Sequence, residues 1–273
     1  MSIVSLSSVG ASAASQNKIN FPTGVGNVSI YYGGKRALEG QAAIIDSVTY
    51  VGIRAFCDLV GEYDISWNAS TRTARVSSGG LSLSATSGDV YIYANGRCFY
   101  SVKPIRIIDD RICVPIRPLA KALGIEVSWD ASTRSVILTR TGRTLTSGDR
   151  FYDSDDLYWL SRIISAEAKG EPLVGQIAVG NVVLNRVRSR SYPNTVYGVV
   201  FDRKNGTQFS PVAIGTIYKA PTASAIIAAK ICLEGYSISN DILFFMNPRI
   251  ATNNWIAKNR KFEFKIGNHS FYS

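Results

Sequence analysis

Ile163 to Pro172 reads I-I-S-A-E-A-K-G-E-P, a stretch that closes one helix and opens another. Leu157, Leu160, Ile164, Glu167 and Glu171 recur there at three- and four-residue steps, the spacing of a single helical stripe facing a core. A carboxyl group in such a stripe loses hydration. Its charged form is disfavoured, and its pKa rises toward the range in which it can hand a proton to a leaving group. Glu167 is therefore the candidate acid/base. A helix end turned to solvent and stopped by Gly170 has the same spacing, so the residues on either side must separate the two readings.

Upstream, Ser154 is the expected N-cap, with Asp155 and Asp156 in the first turn where carboxylates complement the helix dipole. Downstream, Pro172 takes a first-turn position of a second helix that runs to about Ser189. Gly175, Ala178 and Gly180 keep that helix thin, so another helix or a substrate can approach closely. A short helix capped by Tyr192-Pro193-Asn194-Thr195 ends at Phe201, a third long helix spans Thr222 to Glu234, and Ile242 to Met246 reads as a strand. This half is expected to be mainly α with a short β element.

The first half contains an internal repeat. Val51-Gly-Ile-Arg54 recurs as Val114-Pro-Ile-Arg117, and S-W-N-A-S-T-R at Ser66 to Arg72 recurs as S-W-D-A-S-T-R at Ser128 to Arg134. Each copy predicts a strand, a helix (Arg54 to Val60; Arg117 to Leu123), a strand ending at Trp67 or Trp129, an Asx turn and another strand. The fold class is thus α+β in two domains, with duplicated small α+β units at the N-terminus. The matched Trp67 and Trp129 could stack on sugar rings, but equivalent positions in a repeat favour core anchors.

The domain expectation is a leader over 1–27, the duplicated domain over 28–140, a Gly/Ser/Thr-rich linker over 141–154 and the catalytic half over 155–273. The leader ends its first stretch in Ala11-Ser12-Ala13, which fits either the tail of a secretory signal or a plain disordered segment. No apolar run approaches the roughly 20 residues of a spanning helix. With one histidine, four scattered cysteines and no C-x-x-C pair, neither a metal nor a cofactor is expected. Cys98 and Cys113 could pair if their strands are neighbours; buried thiols are the other state. A net charge of +10 favours polyanions in general, and bacterial wall fits as well as nucleic acid, for which no recognition motif is present.

Seven strings then occur in order: E-A-K-G-E-P, G-Q-I-A-V-G-N-V-V-L-N-R-V, Y-P-N-T-V-Y-G-V-V-F, Q-F-S-P, F-F-M-N-P, W-I and I-G-N-H-S-F-Y. Over residues 157–273 the chain resembles the SleB/CwlJ-type cell-wall hydrolases, the spore cortex-lytic enzyme family. Residues 28–140 resemble the copper amine oxidase N-terminal-like domain, a stalk of secreted proteins. The first resemblance implies a lysozyme-like, mainly α domain that cuts the glycan strands of peptidoglycan as a lytic transglycosylase, in a secreted protein of the cell wall or spore cortex. It also implies that the first glutamate of the usual G-E-A-R-G-E motif, here Glu167, is catalytic. Ala166 and Lys169 depart from that motif, and Lys169 keeps the charge without the planar fork.

Glu171 is the candidate second carboxylate of a hydrolytic alternative, although Pro172 pushes it out of helical geometry. Gln208, Ser210 and Asn247 are loop groups able to hydrogen-bond sugar hydroxyls and N-acetyl groups, or their own backbone. Phe209, Tyr197 and Trp255 are stacking or core aromatics. Gln176 and Asn185 lie in an apolar helix as groove-lining or exposed groups, and His269 is expected to be structural. The partner implied is peptidoglycan, with a wall or protein ligand for the stalk; a wall-binding protein without turnover is the competing reading.

Overall fold

The computed structural model describes residues 18–204, 206, 208–251 and 253–273. The first seventeen residues, on which the signal-remnant expectation falls, lie outside the described residues. The chain forms two compact units. One runs up to Asn95 and resumes over Phe99–Thr146; the other comprises Gly96–Cys98 and Ser147–Ser273.

In the first unit β1 (Ser29–Tyr32) and β2 (Lys35–Ala37) form a hairpin, and β3 (Ala42–Ile45) leads into the first repeat copy. That copy is β4 (Val48–Gly52), α1 (Ile53–Val60), β5 (Asp64–Asn68) and β6 (Thr73–Ser78). β7 (Leu81–Thr86), β8 (Tyr91–Ala94), β9 (Arg97–Tyr100) and β10 (Arg106–Ile108) connect it to the second. The second copy is β11 (Arg111–Pro115), α2 (Ile116–Ala122), β12 (Ile125–Asp130) and β13 (Ser135–Arg140). The strands make three sheets, ordered β12-β13-β1-β2, β10-β11-β4-β3 and β5-β6-β7-β8-β9.

The repeat is built as a local twofold. β4 and β11 pair antiparallel, and the equivalent residues Val51 and Val114 stand opposite one another in the ladder. Both helices turn their apolar face inward, with Phe56 and Leu119 fully buried. Arg54 donates to the Ile65 carbonyl and Arg117 to the Val127 carbonyl, two residues before each tryptophan. The Asn or Asp side chain holds the shared A-S-T-R turn in both copies: Asn68 Oδ1 accepts from Thr71 N, and Asp130 Oδ1 from Thr133 N and, as an Asx turn, from Ser132 N.

The tryptophans themselves are not core anchors. Trp67 is 48% exposed and Trp129 43% exposed although each shares a sheet face with a buried residue opposite it, Ala74 and Val136; β5 and β12 are the edge strands of their sheets, so nothing flanks the indoles on the outer side. Ile19 is buried and bonds to Gly40, and Gly26 bridges Ile44, so residues 18–27 pack with this unit. Cys57, Cys98, Cys113 and Cys232 are all buried thiols; Cys98 and Cys113 are not bridged.

The second unit is mainly helical: α3 (Gly148–Phe151), α4 (Ser154–Ala168), α5 (Leu173–Arg188), α6 (Val196–Val200), α7 (Ser210–Ala213) and α8 (Ala223–Leu233) precede β14 (Phe244–Met246). α9 (Trp255–Asn259), β15 (Phe262–Ile266) and β16 (His269–Tyr272) follow, and the sheet order is β14-β16-β15. α3 thus occupies part of the stretch expected as linker. The cap of α4 is Asp153, one residue earlier than expected; its carboxylate accepts from Asp155 N and Asp156 N, two bonds that a serine hydroxyl at 154 could not supply from inside the helix. Pro172 precedes α5 as its N-cap. α4, α5 and α8 pack together where Gly180 removes a side chain: a Cβ there would meet Cys232 Sγ at 2.7 Å and Ile164 Cδ1 at 2.9 Å.

Candidate functional site

The last turn of α4 brings Glu167 to one wall of a cleft of about 1060 Å³ in the second unit. Leu160, Ile163, Ile164 and Ala168 of the same helix are fully or nearly fully buried, so the stripe read from the sequence carries the carboxyl to the edge of the core. Among the described residues nothing hydrogen-bonds to it or pairs with it. Burial alone raises its pKa to about 7. A carboxyl with that pKa is protonated in part of the neutral range and can give and retake a proton there.

α5 contributes polar groups that brace the chain leading into the cleft, and one of them, Arg186, lines it. Asn181 Nδ2 donates to the Tyr236 carbonyl at 3.0 Å and its Oδ1 accepts from Ile238 N at 2.9 Å. Asn185 Nδ2 donates to Ile242 O at 2.8 Å, and Arg186 Nε to Leu243 O at 2.8 Å. These bonds satisfy backbone that would otherwise be buried unpaired, and they set the chain entering β14. β14 then delivers Phe244 and Phe245 to the cleft. Asn185 is accordingly a buried brace that does not line this cleft.

Arg186 is itself part of the lining. Its guanidinium lies 5.0 Å from the Tyr192 ring centroid and 5.3 Å from that of Phe209, and Nη1 reaches Gln208 Oε1 at 3.5 Å. Burial lowers its pKa, against the raising influence of Tyr192 and Asp202. Arg260, stacked 4.4 Å over Phe244 and 5.2 Å from the Trp255 ring, is the second cation at the cleft.

Of the residues singled out from the sequence, Glu167, Gln208, Phe209, Ser210 and Trp255 line this one cleft. Glu171, Gln176 and Asn247 do not. α4 ends at Ala168, so Glu171 leaves the helical stripe and its N–H caps the turn by donating to Ala168 O. Its carboxylate accepts from Asn268 N and Asn268 Nδ2, both at 2.9 Å. Burial pushes its pKa up, but those two bonds and the nearby His269 outweigh it, and the net shift is downward. Gln176 is buried and donates to the Glu171 carbonyl, closing the same turn. Asn247 Oδ1 accepts from Arg249 N, a backbone-holding role. Tyr197 is exposed and packs on Trp159 and Phe201, and His269 is buried edge-on against Phe245.

Sequence reasoning did not single out Arg186 or Asp202. Arg186 carried a signal, as a cation inside a helix otherwise rich in Val and Ile; Asp202 opens the polar loop D-R-K-N-G-T and carried none. Among the described residues no group of three or more His, Cys, Asp or Glu side chains could hold a metal ion.

Residues 170–272 match the Cell Wall Hydrolase family model, and residues 31–138 match that of the Copper amine oxidase N-terminal domain. The spore cortex-lytic enzyme of Bacillus cereus is 38% identical over 120 residues, which is 44% of this chain and 45% of the relative. The C-terminal half belongs to the SleB/CwlJ-type family of cell-wall hydrolases. The spore cortex-lytic enzyme of Bacillus subtilis is 36% identical over 120 residues, 44% of this chain and 38% of the relative. The catalytic domain of the germination-specific lytic transglycosylase SleB from Bacillus anthracis is 38% identical, covering 47% of this chain and all of that domain, with a TM-score of 0.41. The chain spans less than half the length of the spore cortex-lytic enzymes named here. Ahead of the SleB/CwlJ-type half stands a copper amine oxidase N-terminal-like stalk.

Proposed function

We propose that the cleft cuts the MurNAc–GlcNAc backbone of peptidoglycan as a lytic transglycosylase, in a secreted protein acting on spore cortex or cell wall. The observation that carries this is the state of Glu167: a carboxyl with no partner among the described residues, desolvated to a pKa of about 7, on the wall of an aromatic-rich cleft. Glu167 protonates the glycosidic oxygen as the bond to the anomeric carbon breaks. The C6 hydroxyl of the N-acetylmuramic acid then bonds to that carbon, closing a 1,6-anhydro ring, and gives its proton to the Glu167 carboxylate. One residue serves both steps because the substrate supplies the nucleophile. Phe244 and Trp255 offer faces for sugar rings while Phe209 is buried, and Gln208 and Ser210 offer polar contacts to hydroxyl or N-acetyl groups.

Hydrolysis is the second reading. It requires another carboxyl group about 5–9 Å from the acid. Glu171 was the first candidate, but its carboxylate is engaged by Asn268, whereas Asp202 lines the cleft with Glu167. Mass spectrometry of fragments released from purified cortex and vegetative peptidoglycan separates the mechanisms. Anhydro-muropeptides, lost in Glu167→Gln, are the expected result. Reducing-end products lost in Asp202→Asn would move the mechanism to hydrolysis, and no release from either wall would leave a binding protein without turnover.

A further inference from the structure

The stalk holds a groove of about 710 Å³, entirely within the first unit. Its floor is apolar, with Ile65, Ile107 and Ile112 only partly covered. Trp67 stands at its edge, 48% exposed. An indole left half in water forgoes burial that a core position would provide, and among the described residues no ring or cation stacks on it. Trp159 in the other unit shows the contrast: it is boxed by Tyr158, Tyr197, Phe201 and Tyr218.

Charge decides what the groove fits. Glu39, Asp58 and Asp110 stand among its lining with Arg54 and Arg111, so neither sign dominates. Three carboxylates oppose a polyanion such as nucleic acid or an anionic wall polymer, and a concave mixed-sign wall does not suit a lipid surface. A neutral chain of pyranoses is complementary. Its apolar C–H face stacks on an indole, its N-acetyl methyls suit an isoleucine floor, and its hydroxyl and amide groups both donate and accept, as this polar lining requires.

We propose that this groove is a second, non-catalytic carbohydrate site that takes a short run of N-acetylated sugars from a glycan strand, with Trp67 as its stacking platform. The ligand class follows from the groove's own lining and is independent of whether the cleft cuts. A binding site tethered to a cleaving site raises the local concentration of polymer at the cleft without any new contact there.

The test uses the full chain carrying Glu167→Gln, so that nothing is cleaved. Two probes are measured, both neutral: soluble tetra-N-acetylchitotetraose, and insoluble chitin, a polymer of the same N-acetylated sugar. Trp67→Ala is expected to weaken both at least fivefold with an unchanged melting curve, Trp67→Phe to recover most of the loss, and Trp129→Ala to change either by less than twofold. Should Trp67→Ala disturb melting, Asp58→Ala, an exposed change on the groove lining, is expected to weaken both probes two- to threefold. Unchanged affinity in Trp67→Ala overturns the proposal. Retention on intact peptidoglycan with no binding of either neutral probe overturns it in favour of a peptide ligand, and retention abolished by moderate salt overturns it in favour of a polyanion. Trp67-dependent binding by a chain that releases nothing from any wall without the Glu167→Gln change would sink the proposed cleavage and leave the groove standing; cleavage with no Trp67 dependence would do the reverse.

Discussion

Glu167 and Glu171 are four residues apart and chemically opposite. The last turn of α4 holds the first against apolar neighbours with no donor among the described residues, so its proton is retained to a pKa of about 7. The turn before α5 gives the second two donors from Asn268, so its pKa falls and its charge is held in place. Desolvation without a partner makes an acid; hydrogen bonding of the charged form makes a structural anion. Because general acid–base catalysis is worth about 10²–10⁴ in rate, Glu167→Gln is expected to cut muropeptide release by that factor while Glu171→Gln stays within about threefold. Equal losses, with both variants folded, would break the distinction and return Glu171 to the chemistry.

The structural half of the comparison has its own handle. Gly267 has a φ of 57°, and a Cβ there would fall on Glu171 Oε2. Gly267→Ala combines a left-handed alanine, costing about 1–2 kcal/mol, with displacement of the carboxylate from Asn268. We expect a total loss of about 2.5–5 kcal/mol in denaturant unfolding, since hydrogen bonds to a charged group contribute about 1.5–3 kcal/mol. In a Glu171→Ala background the carboxylate is already gone, so the same change should cost only its backbone part. Full additivity would show that the glycine is required for φ alone.

Glu167, the proposed acid, limits stability in the opposite direction to Glu171. Its folded pKa is about 7 against an ordinary 4.5. Protonated Glu167 is tolerated in the fold and ionised Glu167 is not, so its contribution is complete below pH 4.5 and is lost as pH rises through 7. Glu167→Gln removes the ionisation. Relative to the parent chain it should gain about 1–3 kcal/mol at pH 8 and nothing at pH 4. The activity of the parent should decline over the same interval, since the general acid must carry its proton. A pH-independent difference in stability between the two proteins would mean that Glu167 is hydrated in solution.

These properties were legible in the sequence to different degrees. Glu167 could be found because its position in the stripe Leu160, Ile164, Glu167 is a local pattern that the core of α4 follows, whereas α5 is buried without a break from Gly175 to Val183 and shows no such stripe. Glu171 continued that pattern on paper, yet Pro172 ends it, and what its carboxylate meets is Asn268, a partner far along the chain that no spacing reveals. Gln176 and Asn185 stayed ambiguous for a similar reason: a polar residue in an apolar helix reads as groove-lining or exposed, whereas here each also satisfies a remote or turn carbonyl. The repeat fixed both A-S-T-R turns and both helices by direct duplication. It misled about Trp67 and Trp129, because equivalence shows that a position recurs without showing that both copies lie on edge strands, where a residue on the inner face can still be half exposed.

The smallest effect concerns the far wall of the cleft. Trp255 is 48% exposed and lines the same space as Glu167, while its ring lies 5.2 Å from the Arg260 guanidinium. A side chain that only offers a face to a sugar binds ground state and transition state alike, so its removal raises KM and leaves kcat unchanged. Trp255→Ala is therefore expected to raise KM on soluble glycan fragments about three- to tenfold, with the alkaline limb of the pH profile still set by Glu167. A fall in kcat or a displaced limb would show that Trp255 also shields the acid from water; the two walls of the cleft would then act as one device, and the burial of Glu167 would be only partly the work of α4.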